Sequence, residues 1–177
     1  MGTTRLRPAA LLTRVAGSLH ADRVATRSGF TLVEMVIVTV MLGMLAALAV
    51  PRVQHARTMA EIARAIADIQ VVEAEISNYE ILNGALPPDL AAVDRAGLLD
   101  PWGHAYQYLR IRGGERPNGQ PPLGARKDRF LVPINSDYDL YSMGSDGESS
   151  APLTASKSAD DIVRANNGSF VGLAASY

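Results

Sequence analysis

Apolar residues run almost without a break from position 30 to position 50, and polar residues take over on both sides. The run is 21 residues long, about 31 Å as a helix, which matches the hydrocarbon thickness of a bilayer. A secretory signal peptide would have a shorter apolar stretch ending at an Ala-x-Ala-like site, whereas this run continues into further helical pattern. After Pro51 the apolar positions are Met59, Ile62, Ile66, Ile69, Val72, Ile76 and Tyr79. Spacings of three and four put them on one face of an amphipathic helix. Asn83-Gly84 ends the pattern, with glycine where the chain needs a positive φ. Residues 30–83 therefore read as one helix of roughly 80 Å, with Gly43 and Pro51 as its expected interruptions.

Beyond the helix the pattern shortens. "LPPDLAAVDRAGLL" predicts a turn, a short helix over residues 89–96 and a stop at Gly97. "AYQYLRI", "RFLVPI" and "YDLYSM" are aromatic- and β-branched-rich runs bounded by Gly, Pro and Asn, and they predict three antiparallel strands. "RGGERPNGQPPLGARKD" reads as a long exposed connection, "GSDGESSAPLTASKSADD" as a polar loop, and the C-terminal "IVRANNGSFVGLAASY" has no regular period. The fold class expected is α+β. A long N-terminal helix, membrane-embedded in its first half, packs on a small antiparallel sheet of about three strands.

Charge sharpens the division. Residues 1–29 hold five arginines against Asp22, a net of +4, and the remainder carries −5. A basic head suits anionic lipid, and the acidic body argues against nucleic acid as a main partner. The arginine bias before the apolar run favours a cytoplasmic N-terminus and an external body. With no cysteine in the chain, disulfides, thiolate metal sites and a cysteine nucleophile are excluded. A small exported domain then needs another staple: a metal, a lipid-embedded helix, or neighbours in an assembly.

Glu34 is the one acid inside the apolar run. It can simply favour the positive end of the helix dipole. A second possibility follows from Ser28-Gly29-Phe30 just before it. Cleavage after Gly29 would free an amine at Phe30, within a helical turn of Glu34. Opposite charges at a membrane boundary attract strongly and are costly alone, so Glu34 could pair with its own amine or with that of another copy.

"SGFTLVEM" resembles the prepilin-type leader junction of type IV pilins and type II secretion pseudopilins. The resemblance implies that an inner-membrane prepilin peptidase removes residues 1–29, cutting between Gly29 and Phe30, and that Phe30 is N-methylated. It gives Glu34 the assembly role and makes Gly43 and Pro51 the points between which the helix loosens in a filament. A 29-residue leader is longer than those usual for pseudopilins. On this reading residues 30–50 are the transmembrane and assembly helix, and residues 51–177 the periplasmic globular domain. "LPPDLAAV", "LLDPWGHAYQYL" and "YDLYSMGSDG" are further similar to the general secretion pathway protein G family, the major pseudopilins. Asp100, Pro101, Trp102 and Gly103 carry the most specific part of that likeness. Physically, Pro101 and Gly103 turn the chain while Trp102 fills the gap between helix and sheet.

That family binds one calcium ion in its C-terminal loop, which here implies Met143, Ser145, Asp146 and either Asp160 or Asp161 as ligands. The loop departs from the family by lacking a glycine pair and by its greater length. The competing expectation is a solvated turn with Asp160 as a cap. The partners implied are further copies of the chain, minor pseudopilins, the prepilin peptidase, the inner-membrane secretion platform with its ATPase, and the bilayer. Catalysis is not expected. His20, His55 and His104 make no two-histidine metal pattern, and Asp137 and Asp139 read as a solvated strand edge. Two other functions stay open. A type IV pilin-like subunit for adhesion, motility or DNA uptake could use Arg110, Arg112, Arg116, Arg126 and Arg129, and a static membrane-anchored periplasmic domain would need no processing.

Overall fold

The computed structural model describes residues 29–177, so the expected leader lies outside the described residues except for Gly29. Two units divide the chain, Met1–Met44 and Leu45–Tyr177.

In the first unit the described residues are the opening of α1 (Leu32–Asn83). Their apolar side chains are exposed, with Leu32 at 81% and Phe30 at 80%. An 18-residue window of α1 reaches a mean hydropathy of 2.4 and none of it is buried. Such a surface requires lipid or other helices around it.

α1 contains Pro51 and runs through it and Gly43 without a break, which corrects the expected interruptions. One proline removes a single backbone donor and leaves the carbonyl one turn earlier, at Ala47, without its partner, while helix continues on either side. A Cβ added at Gly43 would meet nothing within 4 Å. Gly43→Ala should therefore strengthen the isolated helix by about 0.5–1 kcal/mol, read as helicity by circular dichroism in micelles. Any assembly defect in that variant would then arise between copies.

The second unit builds its core on the far half of α1. Ala65, Ile69, Val72 and Ile76 are fully buried, flanked by partly buried Ile62 and Ile66. Four strands form an antiparallel meander in the order β1 (Gln107–Arg110), β2 (Tyr138–Ser142), β3 (Ile162–Ala165) and β4 (Phe170–Leu173). Strand alternation turns Tyr138, Leu140 and Ile162 into the helix-facing core with Tyr106 and Leu86. Two phenols of this layer find acceptors, Tyr106 donating to Asp68 (3.1 Å) and Tyr108 to the Pro87 carbonyl (2.8 Å), while the buried Tyr138 hydroxyl has none. Burial pushes the Tyr108 phenol up to about 12, which keeps it a donor.

Two of the three expected strands are present. "RFLVPI" is instead a tight turn, with Asp128 and Leu131 exchanging backbone hydrogen bonds, and β3 and β4 come from the C-terminal stretch that had no regular period. The opposite face of the sheet is covered by a second core of Ile134, Leu153, Val163, Ala165 and Ala174, largely supplied by loops. This cover is why all four β3 residues are buried.

The expected helix over 89–96 shrinks to a 3-10 turn, Leu90–Val93. Asp89 caps it by accepting from the Ala92 amide, and the stop falls at Asp94, which takes the left-handed conformation itself. Arg95 then reaches back to α1 and grips Glu75 through two hydrogen bonds, Nε to Oε2 at 2.7 Å and Nη2 to Oε1. The hydrogen bonds from Arg95 hold the Glu75 carboxyl below its ordinary value of 4.5. A depressed acid stabilises the fold above its unfolded pKa and loses that contribution as pH falls through the folded value. Glu75→Gln should therefore flatten part of the fall in melting temperature below about pH 4.5, measured as unfolding midpoints across an acid series.

Candidate functional site

Thr31 and Glu34 form a reciprocal pair at the start of α1. The Thr31 amide and hydroxyl each donate to Glu34 Oε2 at 2.8 Å, and the Glu34 amide donates to Thr31 Oγ1 at 3.2 Å. This is a capping box, in which a threonine cap and an acid three residues on satisfy two otherwise orphaned helix amides. The Thr-x-x-Glu spacing in "TLVE" is the signal that could have found it. The acid thus has a use within its own chain, beside the exposed Phe30, before any pairing with a freed amine.

The Asp100-Pro101-Trp102-Gly103 turn is organised by a buried carboxylate. Asp100 Oδ1 accepts from the amides of Trp102 (3.0 Å) and His104 (2.8 Å), and Oδ2 accepts from Ser142 Oγ (2.6 Å). Gly103 closes the turn at φ 95°. Trp102 packs, partly buried, against the helix-facing core. Ser142, Asp100 and His104 meet in space, but the Ser142 hydroxyl is 0% exposed and donates to the aspartate instead of the imidazole. His104 Nδ1 lies 3.0 Å from the Gly144 carbonyl. The trio is a structural knot with no accessible nucleophile. Asp100→Ala should cost about 2–3 kcal/mol, since it strands two amides and a buried hydroxyl, seen as an earlier unfolding midpoint by Trp102 fluorescence.

Of the positions implied for calcium, Ser145, Asp146 and Asp160 meet in one turn, and Asp161, the alternative to Asp160, lies apart from them. Asp160 Oδ2 accepts from the Ser145 amide (2.8 Å), the Ser145 hydroxyl (2.8 Å) and the Asp146 amide (3.2 Å). Asp146 Oδ1 accepts from the Glu148 amide. Asp161 is fully buried elsewhere, paired with Arg126 and accepting from Ser149 Oγ at 2.6 Å. Met143 lies in the same loop. Calcium asks for six to eight oxygens; here one carboxylate is occupied by N–H and O–H donors and another by a guanidinium. Among the described residues no group of three or more His, Asp or Glu side chains is placed to hold a metal ion.

Two acids read as solvated are not. Asp139 is buried, accepting from the Arg126 amide (2.7 Å) and Asn135 Nδ2 (2.9 Å). Asp137 binds both Nη groups of Arg164, at 2.9 and 2.7 Å. Arg164 in turn reaches Glu73 on α1 at 2.8 Å and lies over the Tyr138 ring. Gly168 makes this possible, since a Cβ there would come within 2.1 Å of Glu73 Oε1. Four of the five candidate nucleic-acid arginines are engaged within the chain: Arg126 is buried, Arg112 pairs with Glu80, and Arg110 and Arg116 bond to the Gly113 and Pro121 carbonyls, while Arg129 is exposed.

The chain is 32% identical to the type II secretion system core protein G of Pseudomonas aeruginosa, across 69% of this chain and 86% of that protein. It belongs to the core protein G family. The core protein G of Dickeya chrysanthemi is 33% identical across 67% of this chain and 78% of its own length, and that of Escherichia coli K12 is 30% identical across 68% and 83%. No family model and no solved structure matches the chain. Within the core protein G family, the uncovered apolar opening of α1 fits a membrane anchor, and the secretion-system relatives fit a place in the cell envelope.

Proposed function

We propose that this member of the core protein G family is the major subunit of a type II secretion pseudopilus. The prepilin peptidase removes the leader after Gly29, Phe30 is methylated, and copies leave the inner membrane to polymerise in the periplasm. Minor pseudopilins, the inner-membrane platform and its ATPase set where and when this happens. The growing filament pushes folded proteins through the outer-membrane channel, a mechanical role that needs no catalytic group. The globular domain lies in the periplasm and the N-terminus in the cytoplasm.

The observation that carries this reading is the apolar opening of α1, exposed among the described residues, on a chain of the core protein G family. Helices of this kind find cover in lipid while waiting and in one another when assembled. Deleting the chain in its host is expected to trap exported proteins in the periplasm, measured by activity assays on periplasmic and culture fractions. Unchanged export with loss of surface pili would instead assign it to type IV pili.

A further inference from the structure

We propose that the guanidinium of Arg126 is the resident cation of the C-terminal loop, doing by ion pairing what a bound calcium would do for this segment. Arg126 is 2% exposed and sits on the sheet face away from α1. Its Nη1 donates to Ser149 Oγ (2.5 Å) and the Ser150 carbonyl (2.7 Å), and its Nη2 to Asp161 Oδ2. The guanidinium lies 4.2 Å from the centre of the Tyr141 ring. Its own amide is held by Asp139, and the next residue, Lys127, exchanges backbone hydrogen bonds with Ala151 and Leu153.

One side chain therefore joins the long connection, the sheet, and the middle and far end of the loop that leads from β2 to β3. These are an anion, a hydroxyl and a carbonyl gathered around a fixed positive charge, the donor types that a hard cation collects. A guanidinium presents directional donors to the same oxygens and is always charged. Asp161 Oδ1 remains without a partner. One free oxygen beside a fixed positive charge is far from the six to eight that calcium requires, and like-charge repulsion opposes a second cation there.

The test uses the full chain in detergent micelles, with Trp102 fluorescence reporting unfolding. The wild-type midpoint is expected to be the same in excess EGTA and in millimolar calcium, and calorimetric titration with calcium is expected to give no site. Arg126→Gln should lower the midpoint by on the order of 10 °C, the scale for breaking a buried pair. Asp161→Asn should lower it too, and the double variant should lose less than the two singles together. A chelator-dependent fall in the wild-type midpoint, or a titratable calcium site, would overturn the proposal whatever the variants do. Strictly additive losses in the double variant would also overturn it.

Discussion

Glu34→Ala is expected to leave the protein inserted in the membrane and folded, yet unable to form filaments. The capping contribution of Glu34 is local: losing a cap costs about 0.5–2 kcal/mol, too little to unfold a helix of 52 residues held by lipid. What alanine removes beyond the cap is the only acid in the apolar opening. On the proposed reading that acid meets the amine freed at Phe30 of an adjoining copy and fixes the stagger between helices. Apolar packing has no direction of its own, so cohesion without register gives aggregates in place of a filament. Glu34→Gln separates the two uses. Glutamine keeps the capping geometry, since Glu and Gln both serve at that position, but carries no charge. It is expected to fail in assembly nearly as badly as alanine, scored by filament yield and by cross-linking between copies. Normal filaments from the glutamine variant would leave capping as the whole purpose of Glu34.

The largest loss of stability is expected at Arg164. Its side chain is 3% exposed and binds Glu73 on α1, Asp137 beside β2 and the Tyr138 carbonyl. These pairings hold Arg164 firmly charged, its pKa raised against the opposing cost of burial. Arg164→Met would strand two carboxylates at a helix–sheet contact, a change worth about 3–5 kcal/mol, set against total stabilities of about 5–15 kcal/mol for a domain. Arg164→Lys keeps the charge and loses the planar fork that binds Asp137 from both Nη groups, so an intermediate loss is expected. Urea denaturation followed by Trp102 fluorescence measures both. Equal stabilities for lysine and arginine would mean that charge alone matters at this position.

Much of this architecture is legible in the sequence. The 30–50 apolar run, the three-four spacing through Ile76 and the Asn83-Gly84 stop specify α1, because helix period and capping are local properties. β1 and β2 were legible for the same reason. β3 was not: all four of its residues are buried, including an arginine, and an element covered on both faces has no alternation to read. Its second cover comes from loops distant in sequence, which is also why Arg126, Asp137 and Asp139 were read as solvated. A charged residue in a loop looks the same in sequence whether it faces water or a partner 35 positions away. The capping box is legible in the Thr-x-x-Glu spacing of "TLVE", a local signal that the surrounding apolar run does not alter.

The most direct measurement is the N-terminus of the protein within isolated filaments, read by intact-mass spectrometry. The chain is expected to begin at methylated Phe30. Filaments built normally from chains that still begin at Met1 would contradict it, because Phe30 would then have no amine to offer Glu34.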